Sequence, residues 1–124
     1  MQIIHTDKAP AAIGPYSQAI KLGGLLYTSG QIPLKENGQM IGQGIEEQTR
    51  QVMKNLEAVL KAGDSSLKEV IKTTIFLKSM NDFAAVNEVY GEFFKDHKPA
   101  RSTVAVQTLP KDALVEIEAI AQLN

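Results

Sequence analysis

The stretch RSTVAVQTLPKDALVEIEAIAQ, Arg101 to Gln122, sets the fold class. It contains two runs in which apolar and polar residues alternate, Arg101 to Gln107 and Leu114 to Gln122, joined through Leu-Pro-Lys-Asp. Period-two alternation predicts strands with one sheltered face, and the short connection predicts an antiparallel pair. In the second run VEIEAI puts Val115, Ile117 and Ala119 on one face and Glu116 and Glu118 on the other. The first run is expected to bury Val104 and Val106, with Arg101 sharing a face with Thr103.

Working outward, SQAIKLGGLLYTSG (Ser17 to Gly30) offers two short apolar runs around Gly23-Gly24, a pair that supplies the positive φ angles of a tight hairpin turn. Gln31 to Gly44 mixes Pro, Asn and Gly with little periodicity, which predicts a long surface loop of the kind that borders sites. From Ile45 to Ala62 the apolar residues Val52, Leu56, Val59 and Leu60 recur at helical spacing, and Gly63 follows where a left-handed C-cap would sit. VIKTTIFLK (Val70 to Lys78) predicts a central strand with Ile71, Thr73, Ile75 and Leu77 on one face. Ser79 and Asp82 resemble a capping box before a second helix, whose stripe is Phe83, Val86, Val89, Tyr90 and Phe93 and whose end falls near Lys95. Residues 1–124 then form a single α+β domain, two helices covering one face of a mixed or antiparallel sheet. The other face is bare unless the sheet closes on itself or meets other subunits, so an oligomer is expected.

The 124 residues carry 13 Lys or Arg against 14 Asp or Glu, a net charge of -1 that gives no global attraction for phosphate backbones. Nucleic acid is not an expected partner. Zero cysteines remove disulfides, thiolate nucleophiles and zinc–cysteine sites together. A mean hydropathy of -0.12 predicts no membrane span, and MQIIHTDKAP has no signal-peptide pattern, so the expected location is the cytoplasm.

Most motif-like fragments have ordinary explanations. His5 and His97 lack an i, i+4 partner and are expected to be structural or surface groups, so no metal site is predicted. Gly38, Gly42 and Gly44 match neither phosphate-binding pattern and are expected to be loop glycines. Ser65-Ser66-Leu67-Lys68 has the S-x-x-K spacing of some acyl-transfer enzymes without their accompanying motifs. Lys95, His97, Lys98 and Arg101 cluster without an interleaved aromatic platform and are expected to form a solvated helix end rather than an RNA site. Arg101 differs because a guanidinium on a sheltered strand calls for a carboxylate. On spacing alone that carboxylate is either a ligand's, in a cleft shared with an acid of the VEIEAI strand, or a neighbouring side chain's that ties two strands together.

PYSQAI, TSGQIPL, NEVYGEFF, KPARSTVAV and LPKDALVEIEAIA, in that order over nearly the whole chain, resemble the RidA (YjgF) family of reactive-intermediate deaminases. The resemblance implies a chorismate-mutase-like α+β fold assembled as a homotrimer around a central β-barrel, with ligand sites between subunits. It implies hydrolysis of 2-imino acids, formed from enamines released by PLP-dependent dehydratases, to 2-keto acids and ammonia, with no cofactor. By the same resemblance Arg101 grips the substrate carboxylate and Glu116 positions water and shuttles protons. Tyr16 closes the pocket from a neighbouring subunit, while Ser29, Gly30, Asn87 and Thr103 line it. Thr103 stands where many relatives carry cysteine, so thiol chemistry is not expected, and Gln107 and Thr108 also depart from the common pattern. Two other activities found among relatives remain alternatives: a carboxylate-binding regulator without turnover, and an endoribonuclease or translation inhibitor.

Overall fold

The computed structural model describes all residues, 1–124. Six strands form one sheet: β1 (Gln2–Ile4), β2 (Ala19–Leu22), β3 (Leu25–Thr28), β4 (Val70–Leu77), β5 (Ala100–Ala105) and β6 (Val115–Gln122). Their spatial order is β1-β2-β3-β6-β4-β5, antiparallel throughout except for the β4–β5 pair. Two helices, α1 (Ile45–Ala62) and α2 (Phe83–Phe94), lie on one face. The α+β class with two helices on a mostly antiparallel sheet is therefore as expected.

The Gly23-Gly24 hairpin forms with φ of 60° and 83° at the two glycines, a turn a β-carbon would strain. The core is the apolar stripe of α1, led by Val52, Met53, Leu56, Val59 and Leu60, against Ile75, Leu77, Val115 and Ile117 of the two inner strands. Each of these is fully buried. Helix α2 adds Val86, Tyr90 and Phe94, and Ser79 accepts a bond from Asn81 N in the turn before it, whereas Asp82 makes no capping bond. Phe94, not Phe93, takes the buried position at the end of the stripe.

Four expectations are corrected. First, β5 and β6 are not a hairpin, because β4 lies between them. Helix α2 carries the chain back across the sheet face, so the strand that follows it runs parallel to β4, as a crossover requires. The connection through Lys111 and Asp112, both in the left-handed region at φ 55°, then brings β6 in on the other side of β4. Second, β5 is an edge strand, and its odd and even residues face opposite ways. Arg101 and Thr103 turn toward the helices, while Val104 is 44% exposed on the open face and Val106 is half-buried. Third, a bulge between Val70 and Lys72 throws Ile71 out of phase and leaves it exposed, so Val70 takes the buried place. Fourth, Gly63 has φ -91° and the left-handed residue is Asp64. Glycine is needed at 63 for space, since a β-carbon there would stand 2.6 Å from Leu26 Cδ2.

The sheet's second face is bare. It exposes Ile3, Leu22, Tyr27 and Val104, with the half-buried Phe76 and Ile120 among them. No helix is long and apolar enough to cross a membrane.

Candidate functional site

Arg101 faces the helices because its register partner on β4 is Thr73, whose side chain points into the core. Its Nη1 donates to Asn87 Oδ1 at 2.8 Å, and its guanidinium carbon lies 5.1 Å from the Tyr90 ring centre and 5.6 Å from that of Phe83. All three partners are on α2, one or two turns apart, so a single helix face builds the cage. Desolvation of a cation is offset there by the rings and by the amide oxygen. The four ion pairs of the chain are His5–Asp7, Lys21–Asp64, Arg50–Glu92 and Lys78–Asp112. Arg101 is in none of them, which removes the alternative in which it ties two strands through an acid. A half-buried guanidinium held in one orientation, with the rest of its N–H fork unclaimed by any carboxylate, has the geometry to receive an anion.

Tyr90 is fixed in turn. Its hydroxyl and that of Thr73 share a buried hydrogen bond of 2.6 Å. Burial pushes the phenol upward, while that bond and the Arg101 charge act against the rise. Thr103, two residues past Arg101 on the same side of β5, has a buried Oγ1 without a hydrogen-bond partner.

Glu116 lies elsewhere. It pairs with Phe76 and so points to the open face, whereas Arg101 and Thr73 point to the helices. In one chain the cation and the acid stand on opposite faces of the sheet and do not share a cleft. The neighbour of Glu116 is Gly30: a β-carbon at position 30 would come 1.9 Å from Glu116 Oε2. Gln31 and Ile117 exchange both backbone hydrogen bonds, which holds the Gly30 segment against β6. Burial raises the Glu116 pKa, and the charge of Glu118 raises it further.

Gly30 and Tyr16 line one cavity of about 320 Å³, and Arg101 and Asn87 line another of about 460 Å³. The predicted residues thus fall into two halves, Arg101 with Asn87 and Thr103, and Glu116 with Gly30 and Tyr16. Ser29 belongs to the second half by position, but its hydroxyl donates to Ser17 O at 2.5 Å and serves to tie Tyr16's segment to the end of β3.

Several positioning groups were missed in the sequence. Gln18 is 3% exposed. Its side-chain amide accepts from Thr6 N and donates to Thr6 O and Pro10 O, fixing the segment beside Tyr16. Asn55 donates to Ile32 O and Leu34 O, and Gln48 bonds Gly42 O and Leu114 N, so two buried amides of α1 anchor the long loop. The signal was present, since Gln48 and Asn55 fall on the same helix face as Val52 and Val59, where a polar residue calls for a partner. His5 bonds Asp7 and His97 bonds Val70 O.

The endoribonuclease L-PSP family model matches residues 6–123. A RutC family protein of Pyrococcus horikoshii is 54% identical over 121 residues, covering 97% of this chain and 96% of its own length. Among solved structures, Escherichia coli TdcF with bound serine is 44% identical with a TM-score of 0.95, covering 100% of both chains. RidA from an Antarctic Psychrobacter is 41% identical, also with a TM-score of 0.95, covering 99% of this chain and 100% of its own.

Proposed function

The chain belongs to the endoribonuclease L-PSP family, also called the YjgF/RidA family, and from that premise we propose that it is a cofactor-independent deaminase of 2-imino acids. The observation that carries the proposal is the caged, acid-free guanidinium of Arg101. Serine bound to TdcF, itself a small carboxylate, accords with it.

In this mechanism the substrate carboxylate takes the free edge of the Arg101 fork, which orients the imine carbon. Water adds to that carbon while Glu116 takes its proton. Glu116 then returns the proton to the nitrogen of the carbinolamine. The carbinolamine hydroxyl then passes its proton through Glu116 to that nitrogen as the C–N bond breaks, and the products are a 2-keto acid and ammonia. A carboxyl whose pKa is raised by burial and by Glu118 suits both directions of transfer. Imines hydrolyse in water unaided, so orientation plus general-base help of about 10²- to 10⁴-fold is a sufficient contribution.

This chemistry needs the two halves together, and one chain keeps them on opposite faces of its sheet. The proposed enzyme is therefore a homotrimer in which the Arg101–Asn87 half of one subunit meets the Tyr16–Gly30–Glu116 half of the next. The bare apolar sheet face, with Leu22, Tyr27 and Val104 exposed, supports association through the sheets. In the trimer Ser29 and Thr103 border the cleft.

The test couples the protein to a PLP-dependent threonine dehydratase and follows 2-keto acid release against semicarbazide, which traps the imine. Acceleration of keto acid release is expected, and its absence with purified protein would sink the catalytic proposal. Glu116→Gln discriminates against the regulator alternative: carboxylate binding should survive while turnover is lost.

A further inference from the structure

The cavity of about 460 Å³ beside Arg101 has walls of one sign. Lys95, Lys98 and His97 line it with Arg101, and no Asp or Glu does. Neither lysine takes part in an ion pair. The backbone sets this convergence. Lys95 ends α2 at φ 59° and turns the chain back. The His97 ring then donates to Val70 O at 2.7 Å and packs near Phe94, fixing the segment that leads to Arg101. Three unpaired cations around one concavity repel each other and concentrate small anions. An alkyl imino acid would satisfy only Arg101 and leave Lys95 and Lys98, which line the same cavity, without an anionic partner.

We infer that the site takes 2-imino acids bearing a second carboxylate, held by Lys95 and Lys98 while Arg101 holds the carboxylate next to the imine. This rests on the deaminase proposal above and names its substrate class as dicarboxylic.

The stable probes are the keto acids 2-oxoglutarate and 2-oxopentanoate, equal in chain length and differing in the terminal charge. Isothermal titration of the intact protein at low ionic strength should give 2-oxoglutarate a Kd about tenfold lower, as two exposed charge pairs permit. That ratio should shrink toward one in Lys95→Gln/Lys98→Gln, and in wild type as salt is raised. Equal affinities, or a ratio unmoved by the double variant or by salt, would overturn the dicarboxylate inference and leave carboxylate capture standing. Binding of neither probe would overturn carboxylate capture at Arg101 itself, and the inference with it.

Discussion

Replacing Gly30 with alanine separates the fold from the chemistry. Position 30 is outside the left-handed region, so alanine strains no backbone there. The added methyl would meet Glu116 Oε2 at 1.9 Å and Cδ at 2.7 Å. Ordinary contact lies at 3.4 Å or beyond, so the carboxylate must withdraw by about 1.5 Å. Glu116 is a flexible side chain at the open face and can move without disturbing the core, so the melting temperature should change by less than about 4 °C, a stability change under about 1 kcal/mol. Catalysis should respond differently, since a misplacement of about 1 Å in a reacting group is associated with losses on the order of 10²-fold. In the dehydratase-coupled assay, Gly30→Ala should lose about 10²-fold in kcat while still binding a 2-keto acid. Near-wild-type kcat in Gly30→Ala, with Glu116→Gln inactive, would refute the view that the Gly30 contact sets the position of the carboxylate.

Glu116→Gln also carries a pH signature. Burial and Glu118 raise the Glu116 pKa in the folded protein, so its stability contribution is full below the unfolded carboxyl pKa and is lost as pH rises through the folded value. The variant should therefore melt higher than wild type near neutral pH and converge with it in acid, as thermal melts across the range would register. A lysine at 101 keeps the charge but lacks the fork that bonds Asn87 and a carboxylate together. Arg101→Lys should raise KM by about 10- to 100-fold, the loss of one charged hydrogen bond of about 1.5–3 kcal/mol, with the fold intact. Tyr90→Phe and Thr73→Val each strand a buried hydroxyl and should each cost about 1–3 kcal/mol in urea unfolding. The double variant should cost less than their sum, and strict additivity would contradict a shared bond.

The parts of the fold legible in the sequence were those with a local cause. Gly23-Gly24 forced its own hairpin, and the stripe of Val52, Leu56, Val59 and Leu60 made α1 at the bounds its spacing predicted. What failed was set by contacts distant in sequence. Alternation along Arg101–Gln107 and Leu114–Gln122 says that each is a strand, but only the crossover of α2 decides that β4 lies between them. The bulge at Ile71 and the close approach of Leu26 to Gly63 likewise depend on the partner strand. At the site, the anion-seeking character of Arg101 was visible from its residue type and setting and Asn87 from the family resemblance, whereas the rings of Phe83 and Tyr90 that cage it were not. Nor could the sequence show that Glu116 would face away from it, since that orientation follows from the register of both strands on β4.

In the proposed enzyme the working site joins Arg101 of one chain to Glu116 of another, and subunit mixing tests that sharing most directly. Arg101→Ala and Glu116→Gln chains, each inactive alone, would be unfolded together in equal amounts, reassembled and assayed for imine hydrolysis. Random trimers should recover about one quarter of wild-type activity, because about one site in four unites an intact Arg101 with an intact Glu116 across an interface. No recovery from well-mixed trimers would mean that both groups act within a single chain, and would contradict the account.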